Sequence, residues 1–132
     1  MAEMSNEDVA LLNTYRLNFG EVLHYADGLV ELIADEGLVA TYQDVSEMFE
    51  FFEILEPRPQ AALVNRKHDY SLSFEAQRCI KAYKGVRFVA ILTHSRLAYL
   101  AARFAISRFF KIGVFMDRKD AMAWLRRKTA GK

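Results

Sequence analysis

The run VRFVAILT, residues 86–93, constrains the fold more strongly than any other stretch of the sequence. It is nearly continuous in apolar residues, and short runs of this kind are typical of strands covered on both faces, as in parallel sheets. The run therefore predicts a central strand with helices packed against the sheet. No apolar run in the chain reaches the roughly 18 residues that a membrane-spanning helix needs, so no membrane span is predicted.

Strand and helix patterns alternate along the rest of the chain after an opening β-hairpin. The order β-β-α-β-α-β-α-β-α predicts an α/β fold, in which four helices flank a mostly parallel or mixed sheet of about five strands. The predicted strands are residues 15–24, 29–34, 61–65, 86–93 and 111–116, and the predicted helices are residues 41–55, 74–84, 95–110 and the segment after Asp117.

Several turns and helix starts are marked by particular residues. Asp27–Gly28 is a two-residue turn signal that joins the first two strands. Thr41 followed by Asp44 forms a capping-box pattern at the first helix. Ser95 and Asp117 are predicted to cap the third and fourth helices.

Composition favours one globular domain over residues 1–132, because 52% of the residues are hydrophobic and only 27% are charged. Residues 1–13 are predicted to be a frayed or short helical lead-in, and residues 129–132 a frayed basic tail. The polar, acidic start MAEMSNED does not match a secretory signal. Cys79 is the single cysteine and cannot form an internal disulfide, so a cytoplasmic location is expected.

The charge is divided unevenly along the chain. Residues 1–60 carry a net charge of −11 and residues 61–132 carry +12, although the whole chain carries only +1. Such a division indicates either a basic surface for an anionic partner or a molecule that pairs its own halves, within one chain or across a dimer. The near cancellation of the two halves favours the second interpretation.

Motifs for enzymatic or cofactor chemistry are missing from the sequence. There is no GxGxxG or GxxxxGK[ST] loop for phosphate, no CxxC or HxxxH spacing for zinc, and no GxSxG elbow for a nucleophile. We therefore predict no cofactor, no metal and no enzymatic activity. Arginines and lysines accompany Tyr99, Phe104, Phe109 and Phe110 in the C-terminal half, but aromatic residues in the core and solvated basic residues explain this pattern without a nucleic-acid partner.

The stretch HDYSLSFEAQR, residues 68–78, follows the strand 61–65 and opens the second helix. Carboxyl ends of parallel strands are where such folds usually bind ligands. Ser71 or Ser73 is predicted to cap the helix. A less favoured interpretation is a catalytic group, in which His68 and Asp69 act on Ser71.

The stretches LVELIADEGLVATYQDVSEM, VRFVAILTHSRLAYLAARFAI and FFKIGVFMDRKDAMAWL together resemble a STAS-like domain (sulfate transporter and anti-sigma-factor antagonist). The resemblance covers residues 29–128, about three-quarters of the chain. More narrowly, the chain resembles the small bacterial STAS-like proteins related to anti-anti-sigma factors, which are often compared with the CRAL-TRIO lipid-binding fold.

The resemblance implies a non-enzymatic regulatory domain that binds a protein partner and forms a homodimer. Asp69-Tyr70-Ser71 resembles the start of the family's Asp-x-Ser/Thr-Gly-Leu-Gly motif, whose hydroxyl is phosphorylated by a partner kinase; residues 72–74 replace its Gly-Leu-Gly part. The implied switch or contact residues are Asp69, Ser71 and Ser73, and the implied partner or ligand surface is His68, Tyr70, His94 and Ser95.

The alternative function is a carrier of a small apolar ligand or lipid. The chain has 10 Phe, 6 Tyr and 5 Met, and many of these residues fall on the helices that flank the predicted sheet. They are suited to lining a pocket, although packing of an ordinary core also explains them.

Overall fold

The structure is a computed structural model that describes residues 9–106 and 111–130. Patterns of short apolar runs and amphipathic segments become strands and helices in alternation, as the sequence predicts. In chain order the elements of these residues are β1 (Leu11–Leu17), β2 (Gly20–Tyr25), β3 (Leu29–Ala34), β4 (Val39–Ala40), α1 (Tyr42–Ile54), β5 (Ala61–Asn65), β6 (Ser71–Leu72), α2 (Phe74–Ala82), β7 (Phe88–Leu92), α3 (Arg96–Ile106), β8 (Ile112–Phe115) and α4 (Arg118–Ala130).

The main sheet has the strand order β1-β2-β3-β5-β7-β8. The pairs β1–β2 and β2–β3 are antiparallel, and β3, β5, β7 and β8 run parallel to one another. This mixed sheet and its helices confirm the predicted α/β class, with six strands in the described residues instead of about five. None of the helices in residues 9–106 and 111–130 combines the length and the apolar content needed to cross a bilayer.

The main sheet has a sixth strand because the prediction for the N-terminal segment was wrong. Residues 1–8 of the predicted helical lead-in lie outside the described residues, but Leu11–Leu17 forms a strand, not a helix. The predicted strand 15–24 is interrupted at Asn18 and Phe19, where the chain turns back. The buried Phe19 side chain and the absence of a Cβ at Gly20 permit this reversal against the sheet.

The β2–β3 hairpin and the helix starts follow the sequence closely. Gly28 adopts a positive φ of 84° in the predicted turn. Thr41 and Asp44 form the complete capping box of α1. The Ser95 hydroxyl accepts the Ala98 N–H, and the Asp117 carboxylate accepts the N–H groups of residues 119 and 120.

The C-terminal helix is longer than predicted. Helix α4 continues to Ala130, so the first two residues of the predicted frayed tail, 129–132, are helical. The Thr129 hydroxyl donates to the Leu125 carbonyl one turn earlier, which satisfies this side chain within the helix. Residues 131 and 132 lie outside the described residues.

The helices divide between the two faces of the sheet. Successive crossovers from β3 to β8 all move in one direction, and the right-handed rule for such crossovers brings α1, α2 and α3 to the same face. Helices α1 and α2 cover a core cluster that includes Val30, Phe52 and Ala62. Helix α4 covers the opposite face, where Leu63 and Leu125 are completely buried.

A buried polar cluster ties α4 to the sheet. The Glu31 carboxylate is only 3% exposed, and it accepts hydrogen bonds from Tyr25, Asn65 and Arg118. Burial raises the pKa of the Tyr25 phenol, and the Glu31 charge adds to that rise. Arg118 pairs with Glu31, and Arg126 pairs with Asp27 at 2.6 Å. Both ion pairs join the basic C-terminal half of the chain to the acidic N-terminal half, so part of the charge asymmetry is neutralised within the molecule.

Removing the central carboxylate tests how much the fold depends on this cluster. We expect Glu31→Ala to lower the free energy of unfolding by about 3 kcal/mol, because it leaves a partly buried guanidinium and two polar groups without their acceptor. Chemical denaturation measures the change, and Arg58→Ala, which removes exposed contacts with Glu53 and Tyr83, is the control with little expected change. A Glu31→Ala loss no larger than that of Arg58→Ala contradicts the prediction.

Candidate functional site

The stretch 68–78 lies beyond the carboxyl end of β5, at the edge of the parallel part of the sheet. Its backbone is fixed by a short parallel ladder between β4 and β6, which the sequence did not predict. Ser71 N–H donates to the Leu38 carbonyl, and Ser73 N–H donates to the Ala40 carbonyl, both at 2.9 Å. The ladder therefore joins the start of α2 to the segment that leads into α1.

The two serines of this stretch have different environments. Ser73 is the N-cap of α2, and its hydroxyl accepts the Ala76 N–H at 3.0 Å. Ser71 is exposed, and its hydroxyl makes no hydrogen bond within residues 9–106 and 111–130. Asp69 is also exposed, and its backbone is held by Glu36 and Gly37. Of the two predicted caps, Ser73 takes the role and Ser71 stays accessible.

The catalytic interpretation of this stretch finds no support in the geometry. His68 lies with its Nδ1 3.7 Å from a Glu36 carboxylate oxygen. Among the described residues, no hydrogen bond joins His68, Asp69 and Ser71 to one another. In this structure the imidazole therefore lies beside Glu36 and makes no hydrogen bond to the Ser71 hydroxyl.

His94 and Ser95 lie after β7, at the same edge of the sheet. His94 Nε2 is 2.7 Å from the Asn65 Oδ1 atom, and Asn65 in turn donates to Glu31. Ser95 is occupied as the cap of α3. His94 therefore extends the structural polar cluster and Ser95 serves as a helix cap, whereas Ser71 belongs to the β4–β6 ladder.

A cavity of about 170 Å³ lies between the sheet and helices α1 and α2. Its walls are almost entirely apolar, and they come from both helices, from β3, β5 and β7, and from the segments on either side of the β4–β6 ladder. Representative lining residues are Leu32, Met48, Phe52, Val64, Ile80 and Val89.

Tyr70 is the site residue that reaches this cavity. Its ring forms part of the wall, and the Arg66 guanidinium lies over it, 4.4 Å from the ring centroid. Burial raises the pKa of the Tyr70 phenol, and the positive charge of Arg66 opposes the rise only in part. The phenol is thus neutral at physiological pH, and its hydroxyl has no hydrogen-bond partner among the described residues.

Two features of the site were predicted incompletely or not at all. A pocket was predicted only as the alternative to an ordinary core, without its position, because the apolar positions that line it have the spacing of core residues. Glu31 did leave a signal, since a carboxylate within the apolar run LVELIA must be buried, and a buried carboxylate requires partners. In residues 9–106 and 111–130 no three acidic, histidine or cysteine side chains are grouped as they would be around a metal ion.

The sequence predicts that the aromatic residues of α3 belong to the core, but the structure places only some of them there. Tyr99 is half-buried, but Phe104 is 87% exposed, together with Leu97 and Leu100. Phe109 and Phe110 lie outside the described residues. Helix α3 packs against β8, and none of its residues 96–104 is fully buried.

Comparisons with known proteins identify the fold. No family model matches the sequence, and no curated protein matches it significantly. A crystal structure of an uncharacterized protein of the DUF3478 family from Shewanella loihica, described as having a SpoIIAA-like fold, superposes with a TM-score of 0.52 at 23% identity, over 89% of this chain and 93% of that one. The chain has this SpoIIAA-like fold, which is the STAS-like fold that its sequence resembles.

Proposed function

We propose that the chain is a non-enzymatic STAS-like domain that binds a small apolar ligand in the cavity between the sheet and helices α1 and α2. The observation that carries the proposal is the cavity itself, with about 170 Å³ of space behind apolar walls. An apolar cavity of about 150 Å³ in a protein core stays dry and binds benzene-sized molecules. The space here suits a ligand with an apolar body of similar or slightly larger size.

Three polar side chains line the cavity, and Tyr70 is the one whose polar group has no partner among the described residues, since Asp44 bonds to Thr41 and Tyr83 donates to Glu53. The unpaired Tyr70 hydroxyl is able to donate to or accept from one polar atom of a ligand, while the apolar walls bind the remainder. Binding therefore favours a molecule with one hydroxyl or carbonyl group over a pure hydrocarbon of the same shape. Among the described residues the wall carries no positive side chain, which disfavours ligands with a full negative charge inside the cavity.

Paired probes test this function. We expect p-cresol to bind about fivefold more tightly than toluene, because one hydrogen bond is worth about 1 kcal/mol, and we expect Tyr70→Phe to remove that difference. NMR titration measures both affinities. Val89→Phe, which fills the cavity, is expected to abolish binding of both probes, whereas the exposed Val39→Phe leaves it unchanged.

The control separates the cavity from other apolar surfaces. Equal weakening by Val39→Phe and Val89→Phe means that the probes bind on the outside of the protein and contradicts the proposal. Failure of the wild type to bind either probe contradicts it as well. Native mass spectrometry of the purified chain adds a direct readout, since a carrier is expected to retain an apolar adduct.

A second function is favoured by the exposure of Ser71. We propose that the surface formed by Asp69, Ser71 and Ser73 contacts a protein partner, with Ser71 as the phosphorylated residue. Ser71 is favoured over Ser73 because its hydroxyl is free, whereas the Ser73 hydroxyl caps α2. A phosphate would add nearly two negative charges to a surface that already carries Asp69 and Glu36, and the cost of desolvating them would disfavour a partner that covers the unmodified surface.

Isolation of the chain from its native cells tests this second function. We expect mass spectrometry to find phosphate on Ser71, and we expect Ser71→Asp to reduce recovery of the co-purified partner at least about tenfold, because a charge added in place of the hydroxyl must be desolvated when the partner covers it. Gln60→Glu adds a charge at an exposed position away from this surface and is the control. An unmodified Ser71 together with full partner recovery by Ser71→Asp contradicts the proposal.

A further inference from the structure

Helix α3 has an exposed apolar stripe. Leu97, Leu100 and Phe104 are spaced three and four residues apart, so they share one face of the helix, and they are 79%, 51% and 87% exposed. The half-buried residues Tyr99 and Ala102 lie on another face of the helix. An exposed apolar stripe of this kind on a small domain is typical of an interaction surface.

A groove of complementary character lies between α1 and α2. It has a volume of about 610 Å³, and its apolar base includes Cys79 and Ala82 together with the stacked rings of Phe49 and Tyr83, whose centroids are 3.9 Å apart. The charged residues along it are Glu50, Glu53, Glu75 and Arg78, so acidic groups outnumber basic ones.

The two surfaces carry opposite charges, and apart from Glu53, which pairs with Arg58, their key groups have no ion-pair partner among the described residues. Helix α3 has no acidic residue, and Arg96 and Arg103 have no carboxylate partner among the described residues. In the groove, Glu50 and Glu75 form no ion pair within the same part of the chain. A basic apolar helix and an acidic apolar groove are therefore both presented by one molecule, and opposite potentials of this kind select and orient partners.

We propose that two copies of this chain form a dimer in which α3 of each copy lies in the α1–α2 groove of the other. A groove that receives an amphipathic helix is a recurrent recognition mode. Helices α1, α2 and α3 cover the same face of the sheet. A two-fold axis between two copies therefore lets each α3 lie in the groove of the other copy at the same time, and it closes the assembly as a dimer. The proposal pairs Arg96 and Arg103 of each copy with Glu50 and Glu75 of the other, which accounts for part of the charge asymmetry between the two halves of the chain.

Charge reversal provides the sharpest test. The variant Arg96→Glu/Arg103→Glu has an acidic helix and an acidic groove, and the variant Glu50→Arg/Glu75→Arg has a basic helix and a basic groove. Sedimentation velocity is expected to find the wild type dimeric and each variant monomeric, because like charges then meet at both contacts. An equimolar mixture of the two variants is expected to form a heterodimer, since both of its contacts join opposite charges.

Two further measurements keep the result unambiguous. Leu97→Glu is expected to weaken the wild-type dimer at least about tenfold by burying a charge among apolar groups, whereas Lys119→Glu on α4, at the other face of the sheet, leaves it unchanged. Circular dichroism verifies that every variant is folded. A monomeric wild type, a dimer that Leu97→Glu does not affect, or a mixture that stays monomeric overturns the proposal.

A lipid surface is the competing occupant for a basic amphipathic helix. Co-sedimentation with vesicles of phosphatidylcholine and phosphatidylserine distinguishes the two. Vesicle binding by a monomeric wild type that Leu97→Glu abolishes assigns the stripe to membranes and overturns the dimer. Absence of vesicle binding, with a dimer that depends on Leu97, supports the exchange of helices.

Discussion

The carboxylate of Glu31 is the contact on which the arrangement of the two faces depends. It joins β2 through Tyr25, β5 through Asn65 and α4 through Arg118, and Asn65 continues the chain of hydrogen bonds to His94. A buried ion pair adds little net stability over an apolar alternative, but each of its members becomes costly when the others are displaced. The main effect of the cluster is thus to fix where α4 starts on the sheet, and its net contribution to the free energy of folding is small.

The two faces of the sheet differ because only one of them has this anchor. On the α4 face, Trp124 contacts the rings of Phe88 and Phe115, and Leu63 and Leu125 are fully buried. On the other face, the crossover helices α1 and α2 pack on the sheet through mostly apolar side chains, the buried His24 ring contacts the Pro57 carbonyl beyond α1, and a cavity of about 170 Å³ remains between the helices and the sheet. Well-packed cores contain few voids of that size, so this face is the natural place for a ligand.

Local signals in the sequence predicted the parallel strands, the helices and their caps because they act over a few residues. The runs at 61–65 and 86–93 specify buried strands, and Thr41 with Asp44 specifies where α1 begins. The first strand was missed because its turn uses Asn18 and Phe19, and the reversal is permitted by a glycine that only the packing against Ile33 explains. A Cβ at Gly20 would lie 2.1 Å from the Ile33 carbonyl oxygen, and no local pattern carries that information.

The candidate site was predicted less well than the fold, since it depends on long-range contacts. The order of residues brings Ser71 and Ser73 near the start of α2, but the distinction between a free and a capping hydroxyl comes from the β4–β6 ladder, which pairs segments more than 30 residues apart. Likewise, Tyr70 resembles any loop tyrosine in the sequence. Its unpaired hydroxyl at a cavity wall follows only from how helices α1 and α2 and the sheet meet.

The cavity and the α1–α2 groove are not independent, because Phe49 and Tyr83 line both. The stacked pair forms a shared wall, with Tyr83 also donating to Glu53 at the rim. A helix bound in the groove restricts these rings, and a ligand in the cavity contacts them from the other side. By linkage, any free energy with which the ligand favours dimerisation is equal to the free energy with which dimerisation favours the ligand. The proposed dimer and the proposed ligand therefore act on one physical element, the Phe49–Tyr83 pair, and its substitution affects both together.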